Sequence, residues 1–372
     1  MYDLKKHFLA DKKIILSKIE NVLSKGVLEM GDEVEKFEEN FKKYCNVKYC
    51  VTVSSGSMGL LLALKTLDLK KNDEVITVSN SDIPTSHAIT LVGAKIKWVD
   101  INEDSLNIDE NKIEKNITKN TRAILPVHLF GNPCNMSKIS SIAKKHNLKL
   151  VVDNTFTPLS VAPKNFGADI IIHSLTKFIN GTSDTIAGVV CSSSSFIESI
   201  RDVNNGSFML MGTTMDSLRA ASVLKNMRTL HIRIKKHSEN AMFLAKSFEN
   251  IGIRTIYPGL KSHPSHNLFS KMMNKEFGYG GMLSIDVGSK GNANKLMEQM
   301  QKKNLGYLAV SLGFYKTLFC TPGSSTSSEI SEYDQKKMGL NEGLIRFSVG
   351  LDEDISRTFV GIHESLKNLK II

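Results

Sequence analysis

The sequence predicts an α/β chain with a mostly parallel, seven-stranded sheet and a smaller C-terminal α+β domain. Three observations carry this. Short apolar runs alternate with helical patterns between residues 51 and 191. At 372 residues the chain is too long for one typical core, so two domains are expected. After about residue 195 the alternation gives way to long amphipathic helices with a few short strands.

Residues 1–30 read as a loosely amphipathic helix, and 1–32 as an N-terminal arm suited to packing on a partner subunit. From Glu33 to Tyr44, Val34, Phe37 and Phe41 recur at helical spacing. Val51–Ser54 is a short strand, Ser55-Gly56-Ser57 a turn, and Met58 to Leu67 a helix. Strands follow at Glu74–Ser79, Lys95–Asp100, Ala123–Leu129, Leu148–Asp153 and Asp169–Ser174. Helices lie around Thr85–Val92 and from Met136 to His146, and Ile186–Cys191 is a hairpin partner or an edge strand. Strands alternating with helices imply parallel pairing with helices on both faces, which defines a domain over 33–228. Ligands of such sheets bind outside the carboxyl ends of the strands. Residues 214–249 read as one long helix or a kinked pair. The domain over 229–372 holds strands at Met282–Val287 and Leu344–Val349 and helices at Ala293–Lys302 and Ile355–Leu369. The serine-rich stretches Ser192–Ser195 and Ser324–Ser328 read as loops, and there is no internal repeat.

Composition narrows the class. Hydrophobic content of 41% and charged content of 23% are those of an ordinary globular chain. No stretch approaches the roughly 18–20 apolar residues of a membrane span, and the N-terminus does not read as a secretory signal. Five cysteines (Cys45, Cys50, Cys134, Cys191 and Cys320) form no CxxC pair. That argues against a disulfide framework or a metal site and for a reducing, cytoplasmic setting. The net charge of +10 comes from lysines scattered among acidic residues, without a basic run of five. It reads as a solvated surface that steers an anionic ligand rather than as a nucleic-acid interface.

The chemistry concentrates in VVDNTFTPLSVAPKNFGADIIIHSLTKFINGTSDTIAGVVC. One buried strand ends in Asp153 and the next in His173-Ser174, with Lys177 three residues on. A carboxylate and a lysine thus reach the same sheet edge. Pyridoxal 5′-phosphate (PLP) needs this pair. The lysine forms a Schiff base with the aldehyde and later moves the α-proton, while the carboxylate keeps the pyridine nitrogen protonated so that the ring accepts electrons. Ser174 and Thr176 can donate hydroxyls to the phosphate. Ser55-Gly56-Ser57-Met58, between a strand and a helix, offers free N–H groups and a close backbone approach. Arg346 stands inside the apolar strand pattern of LIRFSVG, and its fork matches a carboxylate.

Residues 148–350 resemble the Cys/Met-metabolism PLP enzymes, which include cystathionine γ-synthase, cystathionine lyases and methionine γ-lyase. The segments carrying the resemblance are VVDNTF…GADIIIHSLTKFINGTSDTIAGVV, RTLHIRIKKHSENA (228–241), GYGGMLSIDV (278–287), LAVSLGF (308–314) and LIRFSVGLD (344–352). The resemblance implies fold type I and an active site shared within a homodimer or homotetramer. It implies that Lys177 is the Schiff-base lysine, that Asp153 faces the pyridine nitrogen and that Thr155 packs by the ring. Ser174 and Thr176, with Gly56, Ser57 and Met58, would bind phosphate. Asn132 in GNP would lie near the cofactor oxygen, and Arg346 with Ser311 would hold the substrate α-carboxylate.

The N-terminal third departs. MGDEVEKFEENFKKYCNVKYCVTVSSGSMGLLLAL, NDEVITVSNS and AILPVHLFGNP resemble DegT/DnrJ-type sugar aminotransferases, which are also fold type I. The Tyr-Ser-Arg…Asn-Pro-Thr stretch and the YGxT tyrosine of the Cys/Met family have no counterpart, and Asp82 or His87 stands where a ring-stacking residue is expected. After Ser311 the usual glutamate is replaced by Lys316, which would favour a substrate with a negative distal group. The expected activity is β/γ-elimination or γ-replacement on a sulfur-containing or O-activated amino acid. The alternative is a PLP aminotransferase of the DegT/DnrJ type.

Overall fold

The computed structural model describes residues 4–325, 330–337 and 341–372. Met1–Asp3 of the expected arm and residues 326–328 of the second expected serine loop lie outside the described residues. The chain divides into two compact units, Leu4–Leu230 with Lys271–Asn274, and His231–Ser270 with Lys275–Ile372.

The larger unit carries helices α1 (Leu4–Lys25), α2 (Asp32–Cys45), α3 (Gly56–Thr66), α4 (Ile83–Leu91), α5 (Glu110–Ile113), α6 (Met136–Lys145), α7 (Ser194–Arg201), α8 (Ser207–Leu210) and α9 (Ser217–Met227). Its strands are β1 (Tyr49–Val53), β2 (Glu74–Val78), β3 (Lys95–Val99), β4 (Thr121–Leu125), β5 (Lys149–Asp153), β6 (Ile170–Ser174) and β7 (Gly188–Ser192). They form a seven-stranded sheet in the order β1-β7-β6-β5-β4-β2-β3. The β2–β3, β2–β4, β4–β5 and β5–β6 pairs are parallel. Parallel strands are covered on both faces, which is why Ile124, Val151, Val152, Ile171 and Ile172 are all buried without alternation.

Several elements differ from the sequence reading. Of the two readings of Ile186–Cys191, the hairpin partner holds and the edge strand does not, because β7 runs antiparallel to β6 and is covered on its other side by β1. β4 stops at Leu125 rather than Leu129: Pro126 cannot donate to a ladder, and its carbonyl instead accepts from Asp153 N. Ser192–Ser195 is not all loop, since the Ser193 hydroxyl accepts from Phe196 N and starts α7. α1 ends at Lys25, where Gly26 turns to φ +67°. α1 packs on α9 within this unit.

The smaller unit carries α10 (Leu230–Asn250), α11 (His266–Met272), α12 (Lys290–Lys302), α13 (Glu332–Lys337) and α14 (Ile355–Asn368). The stretch 214–249 is therefore two helices, α9 and α10. Strands β8 (Arg254–Ile256), β9 (Met282–Asp286), β10 (Tyr307–Leu308), β11 (Leu318–Cys320) and β12 (Leu344–Ser348) form a second sheet in the order β10-β11-β12-β9-β8. Its β11–β12, β12–β9 and β9–β8 pairs are antiparallel. One face packs Ile285, Ile345 and Phe347 against Leu244, Phe248, Leu296 and Ile362 of the helices.

Candidate active site

The turn from β1 into α3 is pressed between two other strands. A Cβ on Gly56 would stand 2.9 Å from the Ser174 Cβ at the end of β6. A Cβ on Gly188, at the start of β7, would stand 2.3 Å from the Ser55 carbonyl oxygen. Glycine is needed at both positions for the backbones to approach this closely. The Ser55 hydroxyl caps α3 by accepting from Met58 N at 3.1 Å. Met58's own N–H is therefore taken. The N–H groups of Gly56 and Ser57 lie in the first turn, where no partner exists inside the helix. Gly188 was legible in principle, because a glycine inside a strand pattern marks a close backbone approach.

Asp153, Thr155 and Ser174 form a continuous chain of contacts beside this turn. Asp153 Oδ1 accepts from Thr155 N at 2.9 Å, and the Thr155 hydroxyl accepts from Ser174 N at 2.9 Å. Burial raises the pKa of the Asp153 carboxyl. Hydrogen bonds from Thr155 oppose that rise, and the charge of Asp82 adds to it. The result is a proton-avid carboxylate at a strand end, suited to facing a protonated ring nitrogen. Asp82 caps α4 by accepting from Ile83 N, and both it and His87 are exposed. Asp82 has no ring to stack with, and its charge acts on Asp153.

Lys177 sits in the turn Leu175–Ile179, closed by the Asn180 N bond to Leu175 O at 2.9 Å. Its dihedrals, φ −89° and ψ −130°, open the turn at that residue. Such i→i+5 turns recur at functional sites. The Thr176 hydroxyl is tied to β7: it accepts from Ala187 N at 3.1 Å and donates to Ala187 O at 3.3 Å.

Asn132 follows the turn Leu129–Gly131, in which Phe130 takes φ +55°. Its side chain donates to Ser105 O at 2.9 Å, and its backbone carbonyl accepts from Asn107 Nδ2 at 2.8 Å. The structure thus holds Asn132 in a network with Ser105 and Asn107, which sequence reading missed. Nearby, His128 N donates to Asp153 O at 3.2 Å. Burial pushes the His128 ring down to about 3 and the His173 ring to about 4, so both are neutral.

In the smaller unit, the period of two along β12 sends Ile345 and Phe347 into the core and Arg346 and Ser348 to the other face. Loop 310–313 crosses that face. Arg346 Nη2 donates to Val310 O at 2.6 Å and to Ser311 O at 3.5 Å, and Gly313 N donates to Ser348 Oγ at 2.8 Å. Lys316 Nζ donates to Tyr307 Oη at 3.2 Å and lies 5.3 Å from that ring's centroid.

A phosphate-bearing aldehyde fits the residues of the larger unit. Gly56 and Ser57 give first-turn N–H groups beside the Ser174 hydroxyl, in a cradle that a Cβ at residue 56 would fill. Asp153 can hold a ring N–H, and Lys177 supplies the amine.

Comparison with known proteins agrees. A family described as Cys/Met metabolism PLP-dependent enzyme matches residues 31–366, so the match includes the N-terminal third from residue 31 onward. A methionine gamma-lyase of Arabidopsis thaliana is 39% identical over 65% of this chain, and the matched region spans 56% of that protein's length. A cystathionine gamma-lyase of Dictyostelium discoideum is 31% identical over 89% of this chain and 84% of its own. A Campylobacter jejuni structure described as an O-acetylhomoserine (thiol)-lyase carries N′-pyridoxyl-lysine-5′-monophosphate. It superposes with a TM-score of 0.77 at 26% identity, covering 89% of this chain and 85% of that one. The α/β architecture is that of fold type I, the cofactor is pyridoxal 5′-phosphate, and the chain belongs to the Cys/Met metabolism PLP-dependent enzyme family.

Proposed function

We propose that the chain catalyses β/γ-elimination or γ-replacement on a sulfur-containing or O-activated amino acid. The observation that carries this is Arg346. Its residue is 7% exposed, and among the described residues its guanidinium bonds only the carbonyls of Val310 and Ser311. A buried cation without an anion costs several kcal/mol, roughly, and its planar fork suits a carboxylate. An amino-acid substrate brings one.

The remaining roles belong to the same proposal. Lys177 would hold the cofactor through Nζ, and the same nitrogen could take a substrate's α-proton. Asp153 would keep a proton on the ring nitrogen, with its carboxylate held by the bond from Thr155 N. Bound there, the cofactor supplies an electron sink for the pair left at Cα. The N–H groups of Gly56 and Ser57 and the hydroxyl of Ser174 bind phosphate. Met58 N and Thr176 Oγ1 shape the same cradle through Ser55 and Ala187. Asn132 would lie near the cofactor oxygen, Ser311 would join Arg346 at the carboxylate, and Lys316, beside Tyr307, would receive a negative distal group.

We assign 33–228 to the cofactor domain, 229–372 to the small domain and 1–32 to an arm. Assembly as a homodimer or homotetramer is supported by apolar side chains left exposed on α1 and around α8, among them Leu9, Leu23, Leu210 and Met211. Five free cysteines suit the reducing cytoplasm. Among the described residues no helix is long and apolar enough to cross a membrane.

The aminotransferase reading rested on the N-terminal third, which the family match now includes. The test is incubation with methionine, cystathionine, cysteine and O-acyl-homoserines, with 2-oxo-acid and ammonia release followed. A keto-sugar plus glutamate serves as control. Release from one of the amino acids supports the proposal. Amino transfer to the keto-sugar without such release contradicts it.

A further inference from the structure

Arg219, on α9, reaches the turn before α3 from behind. Its Nη1 donates to Ser54 O at 3.3 Å and to Ile186 O at 3.1 Å. Ser54 precedes the Ser55-Gly56 turn, and Ile186 precedes Ala187-Gly188, where Gly188 abuts Ser55 and Ala187 bonds the Thr176 hydroxyl. One nitrogen therefore ties together the two backbone segments that form the cradle.

The arginine is itself held. Asp216 Oδ1 accepts from Arg219 N at 2.9 Å and caps α9, while Asp216 Oδ2 accepts from Arg219 Nε. The segment before α9 follows the end of β1, with Ser54 N donating to Thr213 O at 2.7 Å and Val53 bridged to Thr214. Reach and direction of the guanidinium are thus fixed by backbone and by a carboxylate.

We infer that Arg219 is a positioning residue for the cofactor's phosphate, aimed by Asp216, which clamps the Ser54–Gly56 turn to the start of β7. The clamp does two things. It keeps the first-turn N–H groups in place, and it holds the Ser54 carbonyl, a negative dipole end, turned to the guanidinium rather than to the anion. Donors that drift by about 1 Å lose much of their effect on a bound group. This inference rests on the phosphate placement proposed above.

The test compares pyridoxal 5′-phosphate with pyridoxal, which lacks the phosphate. Stripped wild type, Arg219→Met, Arg219→Lys and Gly56→Ala are titrated with each, and the reconstituted enzymes are read by phosphorus NMR. Arg219→Met is expected to weaken pyridoxal 5′-phosphate binding roughly tenfold or more, leave pyridoxal binding unchanged and shift the phosphorus resonance. Arg219→Lys, whose ammonium can serve the same carbonyls, is expected to recover part of the loss. Equal weakening of both compounds, or no weakening, overturns the inference. If Gly56→Ala loses phosphate-dependent affinity and Arg219→Met does not, the clamp is wrong and the phosphate site stands. If Gly56→Ala binds both compounds as wild type does, the phosphate placement fails and the inference fails with it.

Discussion

The two units present their chemistry in different ways. In the larger unit Asp153, Ser174 and Lys177 lie at or just beyond the ends of β5 and β6, where a parallel sheet collects side chains from neighbouring strands at one edge. In the smaller unit Arg346 lies in the middle of β12, opposite Ser284 and Cys320 on antiparallel neighbours. It is available only because β12 buries every second residue on one face. The parallel sheet thus places a cluster through topology, whereas the antiparallel sheet places a single group through alternation. The first arrangement suits a cofactor touched at many points, and the second suits one charge on a substrate.

Substitutions that separate the two arrangements should have the largest effects. Lys177→Ala is expected to lower kcat roughly a thousandfold or more, because base and covalent anchor go together. Arg346→Gln is expected to raise KM and lower kcat/KM by roughly a hundredfold, leaving the cofactor's absorbance unchanged. Steady-state kinetics with visible spectra checks both. A spectrum altered by Arg346→Gln, or a KM effect alone from Lys177→Ala, would break the division of labour.

Smaller effects should come from two glycines. Gly188→Ala would set a Cβ 2.3 Å from Ser55 O, and Gly350→Ala one 2.4 Å from Thr317 N. Each meets backbone, so each is expected to lose about 1–3 kcal/mol in denaturant unfolding. Only Gly188→Ala is expected to weaken cofactor binding as well, since only that contact belongs to the cradle.

A further effect is confined to acid conditions. Burial holds His128 at about 3 and His173 at about 4 in the larger unit, and His237 at about 4 in the smaller. All three are depressed, so the unfolded chain binds protons first. Their contribution is complete above about pH 6.5 and is lost as pH falls towards 4, by on the order of 3 kcal/mol for His173. Thermal unfolding followed from pH 7 to 4 should show Tm falling with pH, and a His173→Gln variant should show a shallower fall. An unchanged slope would remove His173 from this account.

The parts of the molecule legible in the sequence were those with length or local chemistry. Five-residue strands with buried apolar centres, such as β5 and β6, announce themselves, and so does the lysine that follows them. β8, β10 and β11 have only two or three residues, too few for a period of two to show. The place of β7 between β1 and β6 is a tertiary fact without a local signal. Arg219 was hidden for the same reason. Its spacing from Asp216 reads as an ordinary helix cap, and its reach to Ser54 and Ile186 exists only once α9 has packed. Asp153 could be paired with Lys177 in advance because adjacent parallel strands bring consecutive strand ends together.

The central claim is that Lys177, beside Asp153, holds the cofactor. Borohydride reduction of the holoenzyme followed by peptide mass spectrometry tests it most directly. A pyridoxyl-phosphate group is expected on Lys177 and is expected to be absent from a Lys177→Ala protein. The same group on another lysine, or persistence of the reducible adduct in Lys177→Ala, would contradict it.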